Sequence, residues 1–206
     1  IGVLSALGSA SGGFKSGSLL GFDTTGAAGG AFAYDPAIAN PGGNRLGLHK
    51  LGAGTLALGG ANTYTGPTRL AAGALSVAAL ANGGLASGIG ASATNRENLV
   101  FDGGALRYTG PTASTDRRFT ITGKGATFDV AQAGTTLTFA SIVSSVVPGG
   151  ITLTKNGPGA LSFGGDGPGG GTWFYIGGIG TLVINEGSFW NVASDTPQIN
   201  VSALAA

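Results

Sequence analysis

The sequence predicts an all-β fold, a solenoid of short parallel strands in which one coil takes roughly 20 residues. Three observations predict it. Gly supplies 42 of the 206 residues, whereas Lys, Arg, Asp and Glu together supply only 19. Short segments alternate apolar and polar residues, and related segments recur along the chain. Disorder is excluded because hydrophobicity is ordinary and charge is scarce, and collagen is excluded because the glycines follow no three-residue period.

An internal repeat is the strongest signal in the sequence. Residues 48–60 read LHKLGAGTLALGG and residues 153–165 read LTKNGPGALSFGG, so the two copies lie 105 residues apart without a gap. A shorter unit, Gly followed by a small residue and then alternation, starts at Gly54, Gly73, Gly104, Gly159 and Gly180. The first two starts are 19 residues apart and the last two are 21 apart. Gly73 and Gly104 are 31 residues apart, which predicts a loop between those coils.

Each unit has the pattern of a short, half-buried strand, because it alternates over about five residues between Gly, Asn, Asp or Pro. No window keeps a helical period, and the best candidate, residues 70–85, is interrupted by three glycines. We expect glycine at the corners of the coil and Thr, Ser and Ala on its outer faces. We expect the inward positions of successive coils to stack into apolar columns, to which Leu56, Leu75, Leu106, Leu161 and Leu182 contribute.

A family resemblance follows from these motifs. Residues 50–68 read KLGAGTLALGGANTYTGPT and closely resemble the autotransporter-associated β-strand repeat, whose pattern is K-x-G-x-G-T-L-x-L-x-G-x-N-T-Y-T-G-x-T. The second copy keeps Lys155 to Gly165 and then departs at residues 166–171. The resemblance implies a right-handed parallel β-helix from the passenger region of a bacterial surface or secreted protein, with no catalytic residue and no cofactor in the repeat.

The domain organisation is predicted from the extent of this resemblance. The chain starts at Ile1 without Met or a signal-like segment, which indicates a processed or excised piece of a longer protein. We predict an N-terminal β-rich segment of first rungs or a cap at 1–45, a β-helix at 46–190 with repeat copies near 48–77 and 153–184, and an end rung or tail at 191–206.

Two groups of ionisable residues are candidates for catalysis. His49 is the only imidazole, so a Ser-His-Asp triad would have to use it. It lies where the second copy has Thr154, which indicates an ordinary strand position. The cluster Asp116-Arg117-Arg118 could share an outer face with Asp102 and Asp129, as in β-helical enzymes that cleave polysaccharides. We favour a solvated turn with a weak surface ion pair, and we expect no catalytic residue.

Metal, nucleic-acid and membrane sites are not predicted. Residues 164–171 contain a single carboxylate, Asp166, whereas Ca²⁺ takes about 6–8 oxygen ligands, so we expect a turn there. The net charge is +1 and no basic patch suits a phosphate backbone. No apolar stretch approaches the ~18 residues of a membrane helix. The absence of Cys excludes disulfides and thiolate chemistry.

A contact surface is predicted in the C-terminal part of the chain. Residues 134–184 hold just two charged side chains, Lys155 and Asp166, so little there opposes association. Strand alternation turns the aromatic residues of this part to both faces, and exposed apolar patches mark contact sites. The surface that we predict consists of Trp173, Phe174, Tyr175 and Trp190.

The function that we expect is that of a non-catalytic extracellular module, structural or adhesive, at the bacterial surface. Its partners would be other copies of the chain or cell-surface glycans. One alternative is a subunit of a self-assembling extracellular fibre, because the open strand edges of a β-helix can pair with another chain. A second alternative is a carbohydrate-active β-helix enzyme, for which the sequence offers no convincing acid and base.

Overall fold

The fold is built from short strands. The computed structural model describes residues 13–140, 150–164 and 179–191, together with the backbone of residues 201–202. Three 3₁₀ turns, at Ala28–Gly30, Pro41–Gly43 and Arg96–Asn98, are the helical elements in these ranges. The strands, in chain order, are β1 (Leu19–Asp23), β2 (Ala31–Tyr34), β3 (Gly47–Leu51), β4 (Thr55–Leu58), β5 (Thr68–Leu70), β6 (Ala74–Val77), β7 (Leu99–Phe101), β8 (Ala105–Tyr108), β9 (Ala113–Thr115), β10 (Thr120–Ile121), β11 (Ala126–Val130), β12 (Thr136–Phe139), β13 (Ile151–Asn156), β14 (Ala160–Phe163), β15 (Ile179–Ile184), β16 (Ser188–Asn191) and β17 (Val201–Ser202).

These strands form three sheets that make up successive sides of one coil. Sheet 1 has the order β1-β3-β5-β7-β10, sheet 2 the order β2-β4-β6-β8-β11-β13-β15, and sheet 3 the order β9-β12-β14-β16-β17. The pairings between described strands are parallel except that of β16 with β17, which is antiparallel. Neighbours within a sheet come from successive coils, so the fold is a parallel β-helix, as predicted.

Sharp corners join one sheet to the next, and glycine makes them possible. Residues 71–73 form the corner between β5 and β6, where Gly73 has a φ of +58°. A Cβ at Gly73 would collide with the carbonyl oxygens of Gly52 and Gly54 in the preceding coil. Only glycine combines this left-handed backbone with such a close approach. The corner role expected of Gly73 is therefore confirmed.

The inward side chains of sheet 2 form one of the predicted apolar columns. Leu56, Leu75 and Leu106 occupy matching positions on β4, β6 and β8. Each is at most 1% exposed. Phe128 continues the column on β11. Stacking of equivalent side chains from successive coils buries apolar surface that no single coil could bury alone.

The two repeat copies lie on different sides of the coil. The first copy supplies β3 and β4 to sheets 1 and 2, whereas the second supplies β13 and β14 to sheets 2 and 3. Leu161 therefore stacks on Leu137 in sheet 3, and Leu182 faces Leu153 in a neighbouring column of sheet 2. The inward leucines therefore stack in several columns, and Leu161 and Leu182 do not extend that of Leu56, because the second copy is displaced by one side.

Gly180 departs from the predicted pattern of corner glycines. It lies inside β15, beside a register shift between Ile151 and Thr152 of the paired strand β13. A Cβ there would lie 2.7 Å from the Cα atom of Gly150, so glycine is needed for close strand packing. The corner that follows β15 contains Gly187 instead, with a φ of +71°.

Six phenylalanine rings fill the interior where the three sheets meet. The centroids of contacting rings lie 4.6–5.9 Å apart, in tilted and edge-on arrangements. These geometries add to the stabilisation that burial of the rings provides. The cluster consists of Phe101, Phe119, Phe128, Phe139, Phe163 and Phe189.

The long step from Gly73 to Gly104 contains a loop, as predicted. Residues 78–98, here called the excursion loop, leave the coil after β6 and return at β7. The loop folds back on the preceding coil, because Asn62 and Ser87 exchange backbone hydrogen bonds of 3.0 and 3.2 Å. It is therefore an ordered part of the coil surface.

Candidate functional site

The predicted aromatic contact surface lies largely outside the described residues. Trp173, Phe174 and Tyr175 fall there, as does Asp166 of the segment considered for calcium. Trp190 belongs to β16, where its Cα is in register with Ser162 of β14. This surface stays a prediction, and the site described below rests on other residues.

Arg117 is the central residue of the charge cluster, and it is buried. Its side chain is only 2% exposed, whereas Arg118 on the adjoining position is exposed. Burial lowers the pKa of the Arg117 guanidinium. Neither a solvated surface pair nor an outer-face catalytic group describes Arg117, so both interpretations of this residue were wrong. The short strand β9 ends two residues earlier, and its inward alternation carries Arg117 beneath the coil surface.

The guanidinium of Arg117 clamps the excursion loop. Its three nitrogens donate to six acceptors of the loop at 2.9–3.3 Å, a set that satisfies the donors of the guanidinium. The acceptors are the carbonyl oxygens of Ala81, Asn82, Leu85, Gly90 and Ser92, and the hydroxyl of Ser92. Because Arg117 lies on the following coil, this one side chain fixes the loop to the body of the β-helix.

Asp116 and Asn82 strengthen the same clamp. The backbone N–H of Gly83 donates to Oδ1 of Asp116 at 2.7 Å, and the N–H of Asp116 donates to Oδ1 of Asn82 at 3.1 Å. The clamped loop presents Leu85 at its tip, 59% exposed. Leu85 is the exposed large hydrophobic side chain of the described part of the chain. The loop thus combines a fixed base with an apolar tip.

The other candidate catalytic residues have separate structural partners. Asp102 accepts hydrogen bonds from Thr122 at 2.6 Å and Lys124 at 3.0 Å, and the Thr122 hydroxyl in particular lowers the pKa of Asp102. Asp129 lies 3.4 Å from Nη1 of Arg107 on the outer face of sheet 2. His49 is a half-buried residue of β3, beside Gly21 and Arg69 on the paired strands. That placement agrees with an ordinary strand position for His49.

A buried lysine holds the first-copy corner. Lys50 has no exposed surface. Its Nζ donates to the carbonyl oxygens of Leu51 at 2.7 Å and Gly52 at 2.8 Å, and to that of Ala72 in the next coil at 3.0 Å. An ammonium group has three N–H donors, so each finds an acceptor. The side chain therefore ties two successive corners together.

The second repeat copy has an equivalent buried lysine on another side of the coil. Lys155 is also fully buried. Its Nζ donates to the backbone carbonyl oxygens of Asn156 at 2.6 Å and Gly157 at 2.7 Å, and to that of Glu186 in the next coil at 3.3 Å. Burial lowers the pKa of Lys155 to about 8, against smaller opposing effects of Asp129 and Glu186. We call Lys50 and Lys155 the corner lysines. Sequence analysis missed them, although both stand two residues after an inward Leu in an alternating strand.

Two of the clefts on the described surface are lined in part by carboxylates. The larger, about 570 Å³, lies at the first coil between β1 and residues 35–42, and Asp35 is the carboxylate that lines it within the described part. The smaller, about 370 Å³, lies on the outer face of sheet 2 beside the second-copy corner and is mostly polar. Neither cleft gathers Asp102, Asp116 and Asp129 together.

The described ranges contain neither a cluster of metal ligands nor a membrane-spanning helix. In those ranges, no group of three His, Asp or Glu side chains is close enough to hold a metal ion. No helix there has the length and hydrophobicity to cross a bilayer.

Comparison with known proteins agrees with this architecture. Residues 48–77, which carry the first corner lysine, match the model of the passenger-associated-transport-repeat family. Over 153 residues, 73% of its length, the chain is 40% identical to the adhesin BmaC autotransporter of Brucella suis biovar 1 (strain 1330). The chain therefore carries an autotransporter passenger repeat. As a passenger segment, it belongs outside the cell or on the bacterial surface.

The match to the Brucella protein covers 4% of that protein's length, so the passenger chain spans a small part of this relative. No solved structure is significantly similar to the chain.

Proposed function

We propose that this passenger segment is a non-catalytic adhesive module, a β-helix that holds contact surfaces in fixed positions outside the bacterium. The observation that carries the proposal is the Arg117 clamp. Six hydrogen bonds of a buried guanidinium hold the excursion loop, whose tip exposes Leu85. A preordered loop loses little conformational entropy when it binds a partner. The relative named an adhesin supports the same function.

The use of the ionisable residues supports a non-catalytic role. Asp102 is engaged with Thr122 and Lys124, and Asp116 with the backbone of Gly83. Glycoside cleavage needs two carboxyl groups that flank one bond. Asp35 is the carboxylate that lines the larger cleft, and the smaller cleft is lined by Asp129 and Glu186, of which Asp129 is paired with Arg107. We therefore assign structural roles to Asp102 and Asp116. We assign contacts with a binding partner to the loops and the aromatic residues.

Attachment to cells tests the proposal. Beads that carry the purified chain are expected to bind cultured host cells, and Leu85→Ser or the pair Trp173→Ser and Trp190→Ser should reduce the bound fraction. Thr152→Ala, at an exposed outer position of β13, is the matched control and should bind like wild type. Far-UV circular dichroism checks that each variant keeps its strands. Wild-type beads that bind no better than beads with carrier protein would contradict an adhesive function.

Self-assembly into a fibre is the second candidate, and the first coil favours it. Strands β1 and β2 are the terminal strands of sheets 1 and 2, and neither has a second neighbour among the described residues. Their inward Phe22 and Phe32 are only half buried. Open edges of this kind can pair with another chain. Light scattering over a range of protein concentrations tests this, because a mass that stays at 19.8 kDa at every concentration rules it out.

A further inference from the structure

A row of polar side chains crosses four coils on the outer face of sheet 2. Arg107, Asp129 and Asn156 are in register on β8, β11 and β13. Asn185, just after β15, continues the row, because its Nδ2 donates to Oδ1 of Asn156 at 2.7 Å. Neighbouring strands are about 4.8 Å apart, so the row extends over about 14 Å. We call these four residues the polar row.

The fold does not require polar residues at these positions. In the earlier coils the same outward column holds Ala33, Ala57 and Ser76, with Ser76 directly opposite Arg107. These smaller residues make equivalent strand pairings without the polar groups. The polar row therefore begins where the column changes from small to hydrogen-bonding side chains, and strand pairing does not explain that change.

The row lines the smaller cleft described above. Glu186 also lines this cleft of about 370 Å³, as do Gly157 and Pro158 of the second-copy corner. Arg107 is 48% exposed and meets Asp129 through one nitrogen at 3.4 Å. Within the described residues, the Asn156 Nδ2 group and the Asn185 side-chain oxygen have no hydrogen-bond partner. Donors and acceptors thus alternate along an accessible cleft.

The charges around the cleft balance. Of the residues that line it, Arg107 is positive and Asp129 and Glu186 are negative. The ammonium of Lys155, which is buried and outside the lining, adds a second positive charge that interacts with both carboxylates. A phosphate, a sulfate or a divalent cation would gain attraction from one pair and suffer repulsion from the other. A neutral ligand whose groups both donate and accept hydrogen bonds meets no such penalty. Hydroxyl groups have this property, and carboxamide, carboxylate and guanidinium groups bind them.

We infer that the polar row is a binding site for a neutral glycan that lies across the coils of the β-helix. Successive sugars of an extended glycan would each meet one coil, so a repeating polymer matches a repeating surface. The inference rests on the proposed adhesive function and names a ligand class for it. The polar row is separate from the excursion loop and from the predicted aromatic surface.

The test is titration of the ¹⁵N-labelled chain with neutral tetrasaccharides of β-1,4-linked glucose, N-acetylglucosamine and mannose, and with a sulfated glucose tetrasaccharide. At least one neutral tetrasaccharide is expected to shift the side-chain amide signals of Asn156 and Asn185. In the double variant Asn156→Ala/Asn185→Ala its affinity should fall at least about tenfold, because two direct hydrogen bonds are lost. Ser76→Ala, in the same outward column, is the matched control and should bind unchanged.

Three results would overturn the inference: no shift with any neutral tetrasaccharide, shifts confined to other residues, or binding of the sulfated sugar alone. The cell-attachment assay separates this failure from failure of the adhesive function. If wild type and the double variant attach equally well and the sugars do not bind, the polar row is not the site although adhesion stands. If wild-type chain attaches to no cell, the adhesive function itself fails.

Discussion

Replacement of a corner lysine by Met should destabilise the β-helix, although it removes a buried charge. Lys155→Met keeps most of the side-chain volume but leaves three carbonyl oxygens without their donor. Each unsatisfied acceptor costs about 1–3 kcal/mol, which gives a loss of about 6 kcal/mol at the middle of that range. A pKa of about 8 in place of 10.5 means that release of the buried charge returns about 3 kcal/mol. The free energy of unfolding should therefore fall by about 3 kcal/mol.

Urea unfolding followed by circular dichroism measures this change, and hydrogen exchange of the amides of Asn156, Gly157 and residues 185–187 locates it. Lys124→Met is the matched control, because Lys124 also lies at a corner but is 67% exposed in its ion pair with Asp102. An exposed pair contributes about 0–1 kcal/mol. If Lys155→Met is as stable as Lys124→Met, and exchange at both corners is unchanged, the corner lysine does not tie the coils together.

Three further predictions concern the charge, the core and a corner. Between pH 8 and 9.5 the free energy of unfolding of wild type should rise, because Lys155 keeps its proton in the unfolded state and has released it in the folded state. Urea denaturation at a series of pH values should show this rise in wild type and its absence in Lys155→Met. Leu56→Asp and Leu161→Asp should each unfold the neighbouring coils, since a buried unpaired carboxylate costs several kcal/mol; a wild-type melting curve for both would disprove the stacked columns. Gly73→Ala should lower the melting temperature markedly through its left-handed backbone and the nearby carbonyls, whereas Gly84→Ala, also left-handed but with open space around it, should lower it less.

The sequence predicted the kind of fold because its signal is local. Alternation sets which side chains of a strand point inward, and glycine marks the corners, as at Gly73. The side of the coil on which a segment falls depends on the summed length of all preceding corners and loops. No short pattern reports that sum, so the sequence did not reveal that Leu161 stacks in sheet 3, in a different column from Leu56.

The candidate site was less predictable because its partners are distant in sequence. The acceptors of Arg117 lie 25–36 residues earlier, and nothing in the run Asp116-Arg117-Arg118 distinguishes the buried Arg from the exposed one. The corner lysines carried a usable signal, since Lys50 and Lys155 recur at the inward positions of alternating strands. A charge at an inward position is explained only once the corner carbonyls are known.

The displacement of the second repeat copy by one side has a consequence for how a long passenger meets its surroundings. Because β4 and β14 are equivalent in sequence but belong to different sheets, their outer faces look out in different directions around the axis. Copies spaced in this way distribute equivalent surfaces around the circumference of the rod, whereas copies in phase would align them along one edge. A partner could then engage the rod from more than one azimuth, but two rigidly joined binding sites could not span both copies at once.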